Sequence, residues 1–172
     1  QGKNLVGAFH HPRFVLSELE TLGTLPVMEL RAGLVEAVKK AALLDGGRLF
    51  EHIEGDLDRL LAGNVEALAP VVSGAAGLKL DVVAQDAREG GLRKVLNFGH
   101  TLAHGIEQQL GFTGLRHGEA VAYGMLFAVR LAERQGKMTD DLGARLRAVL
   151  GRFDLPPSIV LEAGRFGANT LV

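Results

Sequence analysis

The chain has 172 residues, of which 47% are hydrophobic and 23% charged, as is typical of a folded globular protein. Its net charge of -1 argues against nucleic acid or an anionic membrane as the main partner, because phosphate binding needs an excess of Lys and Arg. Without cysteine, any metal would be held by His, Asp, Glu or water. No signal peptide or membrane-spanning apolar run is evident, so we expect a cytoplasmic protein.

Most of the chain has the apolar spacing of amphipathic helices. The spacing predicts helices over residues 26–44, 48–61, 65–72, 74–83, 91–110, 119–135 and 140–150, with a break at Ser73-Gly74. Thr24 suits the N-cap of the first of these helices, and Pro26 suits its first turn. Only residues 9–16 could form a short strand. The expected fold is mainly α, with helices packed on helices.

Three of the six histidines lie within eighteen positions, at His100, His104 and His117. The first two are four residues apart, so they would share one face of a helix, and a turn after Gly111 would let His117 fold back toward them. The zinc-protease motif has Glu after its first His, where this chain has Thr101, so that reaction is excluded. The three histidines could still either form a metal site or be ordinary surface residues. His52 is interpreted as a surface residue.

Glu36 is the best carboxylate candidate, because it lies within an apolar stretch, where a carboxylate needs a partner or must face solvent. It could complete a three-ligand metal site, or it could form a surface ion pair with Lys39. The spacing of Glu89, Arg93 and Asn97 predicts that they continue along the helix face of the two nearer histidines. Spacing alone therefore predicts a metal site but no particular reaction.

Several separated runs closely resemble 3-dehydroquinate synthases, over residues 2 to about 157. They are Gly2–Pro12, Thr24–Pro26, Ala32–Lys39, Leu96–Glu107 and His117–Ala122. This resemblance implies the multi-helix C-terminal domain of a two-domain enzyme whose other half is a nucleotide-binding α/β domain. Residues 1–20 would be the end of the linker from that half, and residues 21–172 the helical metal- and substrate-binding domain. The chain alone is then expected to be an incomplete enzyme.

The family enzyme is a lyase of the shikimate pathway, which leads to the aromatic amino acids. It converts 3-deoxy-D-arabino-heptulosonate 7-phosphate to 3-dehydroquinate with loss of phosphate, using NAD and zinc or cobalt. The resemblance therefore implies a small phosphorylated sugar acid as the partner and a homodimer in the full-length enzyme. Two departures stand out: Ala103 occupies a position that is usually Gly, and a basic residue near the family's C-terminus is not identifiable.

The resemblance also implies roles for individual residues. The metal ligands would be Glu36, His100 and His117. The catalytic residues would be His104, Lys39, Glu89, Arg93 and Asn97, with His104 as an acid–base or substrate-orienting group. The substrate-binding residues would be Lys79, Lys39, Arg93, Asn97 and His104. The cofactor-binding residues would be Lys3 and Asn4, which match the end of a block shared with the NAD-binding domain.

Two alternatives remain open. The closer one is another sugar-phosphate cyclase or a metal-dependent polyol dehydrogenase, both of which share a helical domain with a metal site. The Glu36/Lys39 and Arg93/Asn97 pairs favour dehydroquinate synthase, because a dehydrogenase needs no clamp for phosphate and carboxylate. The other alternative is a non-catalytic helical module that a metal stabilises.

Overall fold

A computed structural model describes residues 12–45, 47–138 and 141–156, together with Val6, Gly7 and His10. The described residues form two 3-10 helices, Leu19–Thr24 and Leu92–Asn97, and seven α-helices. The α-helices are α1 (Val27–Leu44), α2 (Arg48–Gly55), α3 (Leu57–Leu61), α4 (Val65–Gln85), α5 (His100–Gln109), α6 (His117–Arg134) and α7 (Leu142–Leu150). The expected mainly α fold is confirmed.

The first predicted elements need three corrections. Residues 12–16 form no strand, while Phe9 and His11 lie outside the described residues. Thr24 ends the first 3-10 helix, and the N-cap of α1 is Pro26. The predicted helix over residues 48–61 is divided into α2 and α3, because Asp56 has the non-helical ψ of 14°.

The predicted break at Ser73-Gly74 is wrong, because α4 continues through it. Gly74 faces α2 closely enough that a Cβ there would lie 3.0 Å from the side chain of Leu49. This glycine therefore permits a helix contact and does not end the helix. As a result α4 is long and apolar enough to cross a membrane by length and composition, with a mean hydropathy of 1.5. It contacts α1, α2 and α3 here, and a helix packed in the core of a helical bundle can meet the same criterion of length and hydropathy.

The largest correction concerns the predicted helix over residues 91–110. Residues Leu92–Asn97 form a 3-10 helix, and Gly99 then takes a left-handed φ of +79° before α5 starts at His100. Because the backbone turns at Gly99, Arg93 and Asn97 do not share a helix face with the histidines. The expectation of one continuous polar face is wrong.

The core is centred on α1, which packs on α6, α4 and α2. Its fully buried residues Val38 and Ala41 lie among apolar side chains of these neighbours, including Phe50, Val71 and Val121. Each large apolar side chain buried in this way contributes about 1.5–3 kcal/mol. The core therefore holds α1, which carries Glu36, in a fixed relation to α6, which carries His117.

Two glycines on α6 set the distances between helices near the histidines. A Cβ on Gly118 would overlap the backbone of Ala32 on α1, and a Cβ on Gly124 would overlap the backbone of Gly99. The helices approach so closely only because neither glycine has a side chain. The first contact brings the N-terminal end of α6 against α1, and the second places the start of α5 against the middle of α6.

Candidate metal centre and anion-binding cavity

Glu36, His100 and His117 meet at one point, although they come from three different helices. Oε1 of Glu36 lies 3.6 Å from Nε2 of His100 and 3.9 Å from Nε2 of His117. All three ligand atoms lie within 4.8 Å of one another. Ligands bound to a tetrahedral zinc ion at 2.0–2.2 Å would be about 3.3–3.6 Å apart. A small adjustment of side chains would therefore suffice to hold a metal ion here.

The two oxygens of Glu36 have different surroundings. Oε2 accepts a hydrogen bond of 2.8 Å from Nζ of Lys39, and Nζ of Lys40 lies 3.5 Å away. Oε1 is buried, and no hydrogen-bond donor among the described residues reaches it. A buried carboxylate oxygen without a donor is costly, and a cation between it and the two imidazoles would satisfy it. The donor set of one carboxylate and two imidazoles suits zinc or cobalt.

The charges around Glu36 keep it ionised. Burial raises the pKa of Glu36, but the hydrogen bond and positive charge of Lys39, with the charge of Lys40, outweigh burial, and the net pKa lies below 4.5. Burial also lowers the pKa of His100, and the charge of Lys39 lowers it further. An ionised carboxylate beside a neutral imidazole is the state that binds a metal.

His104 lies beside the metal centre but outside the group of ligand atoms. Its ring centroid is 5.4 Å from that of His100 and 6.2 Å from that of His117. His104 is exposed, whereas His100 and His117 are partly buried. The predicted return of His117 toward the pair is confirmed, because its ring centroid lies 5.2 Å from that of His100. The chain turns between α5, which ends at Gln109, and α6, which begins at His117.

A cavity of about 230 Å³ opens directly beside the metal centre. It is lined by Glu36, Lys39, Lys40, Lys79, Glu89, Arg93, Leu96, Asn97 and His100. Four of these side chains are cationic and two are carboxylates, so the lining carries an excess of positive charge. Such a lining attracts an anion with more than one negative charge.

The sequence-predicted residues Lys39, Lys79, Glu89, Arg93 and Asn97 all line this cavity. Lys39 is only 2% exposed, and burial lowers its pKa although Glu36 counteracts this. Nδ2 of Asn97 donates a 2.9 Å hydrogen bond to Oε1 of Glu89. His104 does not line the cavity, and Lys3 and Asn4 lie outside the described residues.

Sequence reasoning missed Lys40 and Asp86. Lys40 lies four residues after Glu36 and therefore one turn along the same face of α1, a spacing that could have revealed it. Asp86 follows α4, and its carboxylate accepts backbone N–H groups from Gly90, Gly91 and Arg93 at 2.8–2.9 Å. These bonds lower the pKa of Asp86 and fix the loop that carries Glu89 against the start of the 3-10 helix that carries Arg93.

The fold is that of the helical domain of sugar-phosphate cyclases. A 2-deoxy-scyllo-inosose synthase complexed with carbaglucose-6-phosphate, NAD+ and Co2+ matches 94% of this chain with a TM-score of 0.79 and 31% identity. The match covers 44% of that synthase. ValA, the 2-epi-5-epi-valiolone synthase from Streptomyces hygroscopicus subsp. jinggangensis 5008 with NAD+ and Zn2+ bound, matches 89% of this chain and 42% of its own with a TM-score of 0.78 and 30% identity.

The chain belongs to the 3-dehydroquinate synthase C-terminal family, whose model matches residues 33–168. It is 45% identical over 168 residues to the 3-dehydroquinate synthase of Geobacter metallireducens, covering 96% of this chain and 46% of the relative. It is 46% identical over 159 residues to that of Citrifermentans bemidjiense, covering 92% of this chain and 44% of the relative. The chain thus spans slightly less than half the length of these relatives.

Proposed function

We propose that the protein containing this chain converts 3-deoxy-D-arabino-heptulosonate 7-phosphate to 3-dehydroquinate with loss of phosphate. This chain would be the domain that binds metal and substrate, with residues 1–20 leading into it and residues 21–172 forming it. The observation that carries the proposal is the meeting of Glu36, His100 and His117 at the edge of a cavity with four cationic side chains. The 45% identity to a 3-dehydroquinate synthase supports it.

Zinc or cobalt would be held by Glu36, His100 and His117, because the buried oxygen of Glu36 without a donor faces both Nε2 atoms. When bound, the metal would act as a Lewis acid that polarises substrate hydroxyls and fixes their orientation. The solved relatives that contain Zn2+ or Co2+ support this assignment.

The cationic side chains of the cavity would bind the two anionic ends of the substrate. Lys39 is held beside the metal centre by Glu36, so its ammonium would meet substrate groups close to the metal. Arg93 can offer two parallel N–H donors to a carboxylate or a phosphate, which suits recognition of an end group. Lys40 and Lys79 add positive charge to the same cavity and would contribute to phosphate binding.

Three further residues would orient the substrate or move protons. The hydrogen bond between Asn97 and Glu89 fixes two polar groups at the cavity wall, where each can contact a substrate hydroxyl. His104 is exposed beside the two histidine ligands, so its imidazole could accept or donate a proton there. We therefore assign His104 to proton transfer or substrate orientation and not to the metal.

NAD would be bound mainly by the part of the protein that corresponds to the other half of the relatives. Both solved relatives contain NAD+, which supports its use here. Lys3 and Asn4 stay predictions for the end of that binding region. We also propose that the intact enzyme is a cytoplasmic homodimer, which sedimentation of the purified protein and fractionation of cells would test.

The second candidate function is that of another sugar-phosphate cyclase, since both solved relatives described above are cyclases with other products. Their identity to this chain is 30–31%, against 45–46% for the dehydroquinate synthases. The cationic cavity beside the metal centre argues against a polyol dehydrogenase or a purely structural metal module, because neither needs to bind a multiply charged anion.

Phosphate release from the heptulosonate phosphate, measured with the intact enzyme, NAD and zinc, tests the proposal. The enzyme should release phosphate from this substrate and not from a sugar phosphate without a carboxylate. Arg93→Ala should reduce kcat/KM strongly, whereas Arg88→Ala, an exposed neighbour outside the cavity, should not. Equal turnover of the substrate without a carboxylate would favour the second candidate, and no release from either would contradict both.

A further inference from the structure

We propose that Glu107 is a positioning residue for the metal centre, which fixes the ring of His117 so that its Nε2 faces the metal. Oε1 of Glu107 lies 2.8 Å from Nδ1 of His117. Glu107 does not line the cavity, and it contacts the proposed metal centre through this imidazole. The inference rests on the proposed metal site, but it concerns a residue to which the proposed function gives no role.

The contact joins two helices that pack extensively on each other. Glu107 lies on α5, seven residues after His100 and therefore on the same face of that helix. His117 is the first residue of α6, and α5 and α6 share the most extensive helix contact of the described fold. Glu107 is only 6% exposed, so its carboxylate is withdrawn from water and its bond to the imidazole is not exchanged for solvent.

The chemistry of imidazole predicts which ring nitrogen of His117 carries the proton in this contact. A neutral imidazole carries one proton, and a carboxylate at Nδ1 holds the proton there, which leaves the Nε2 lone pair for a metal. Nε2 of His117 is the atom that lies 3.9 Å from Oε1 of Glu36. An acceptor at the second ring nitrogen also makes the imidazole a stronger ligand, especially when that acceptor is charged.

The other histidine ligand is oriented in the same sense by a weaker acceptor. Nδ1 of His100 lies 3.2 Å from the backbone carbonyl oxygen of Phe98. Both rings thus have an acceptor at Nδ1 and present Nε2 to Glu36.

A buried glutamate that served only to pack α5 on α6 would be replaceable by an apolar side chain, because burying a carboxylate is costly.

Metal affinity tests the proposal directly. Zinc and cobalt binding to the metal-depleted intact protein is measured by competition with a chromophoric chelator. Glu107→Ala should weaken binding about 10–100-fold, as is typical when such a partner of a ligand is removed. Glu107→Gln should lose less, because its amide oxygen still accepts from Nδ1. Glu54→Gln, which removes a carboxylate on α2 that pairs with Arg145, is the control and should bind metal like the wild type.

The tautomer of His117 provides a readout that a merely structural role would not change. Long-range nitrogen–proton NMR of the metal-free protein at alkaline pH should show His117 protonated at Nδ1 in the wild type. Glu107→Ala should shift the proton toward Nε2, and Glu107→Gln should retain it at Nδ1. The variants should also be compared by denaturant unfolding, so that a general loss of structure is recognised.

The outcomes separate this inference from the proposed function. If the wild type binds metal and Glu107→Ala binds it within twofold, or if wild-type His117 is protonated at Nε2, the inference is overturned while the metal site stands. If Glu107→Ala and Glu107→Gln lose metal affinity equally, and the tautomer of His117 is unchanged in Glu107→Ala, orientation by Glu107 is also overturned. If the wild type binds neither zinc nor cobalt, the metal site itself and the inference both fail.

Discussion

Gly124→Ala should disturb the metal centre from a position that touches none of its ligands. The added Cβ would lie 2.7 Å from the carbonyl carbon and 2.9 Å from the Cα of Gly99, with the carbonyl oxygen closer still. Because ordinary contacts begin at 3.4 Å, the Gly99 backbone would have to move by about 0.7 Å or more. His100 follows Gly99 directly, so it would be displaced relative to Glu36.

The expected cost of this overpacking is about 1–3 kcal/mol of unfolding free energy. A displacement of this size exceeds the roughly 0.2 Å tolerance of metal–ligand distances, so zinc affinity should fall on the order of tenfold or more. Denaturant unfolding and chelator competition measure the two effects. The matched control is Gly77→Ala on α4, where no atom lies within 4 Å of the added Cβ, and which should be stabilising by about 0.4–1 kcal/mol. If Gly124→Ala were as stable as this control and bound zinc equally well, the reasoning would be refuted.

Five further substitutions separate metal binding, anion binding and loop order. His104→Ala should keep the metal and lose turnover, whereas His100→Ala or His117→Ala should lose the metal, as measured by metal content and phosphate release. Lys40→Met should raise KM for the phosphorylated substrate several-fold with zinc affinity nearly unchanged; an unchanged KM would remove Lys40 from the anion site. Asp86 has a pKa held below 3.8 by backbone N–H donors, so its stabilising effect is present above pH 3.8 and is lost as the pH falls through the lower folded value. The unfolding free energy of the Asp86→Asn variant should therefore fall less over that acid range than that of the wild type, as measured by denaturant titrations.

The sequence predicted the helices well where the apolar spacing and the positions of helix-ending glycines agreed. The helix over residues 26–44 and the turn after Gly111 are both present. The errors arose where a glycine served packing. Gly74 makes room for Leu49 inside a continuous helix, and Gly99 turns the backbone inside an apparently continuous helical pattern. Local spacing cannot tell these cases apart, because the contact that decides between them lies on another helix.

The residues of the site were accessible to sequence reasoning to different degrees. His100 and His104 were paired by spacing alone. The apolar stretch around Glu36 made it a candidate third ligand, but only the family resemblance favoured that role over an ion pair with Lys39. Lys40 and Glu107 had a signal in the helical period, since each lies on the same face as a proposed ligand. Spacing did not single them out, because polar residues at these positions on helices most often face water.

Glu36 shows why the two interpretations that the sequence left open did not exclude each other. As a surface ion pair it would use its carboxylate on Lys39, and as a metal ligand it would use the same carboxylate on a cation. The structure assigns one oxygen to each: Oε2 accepts from Lys39, while Oε1 faces the two imidazoles. Because Lys39 also lines the cavity, Glu36 links the proposed metal site to the proposed anion site. Removing the negative charge of Glu36 should therefore weaken metal binding and leave a buried lysine without its partner at the same time.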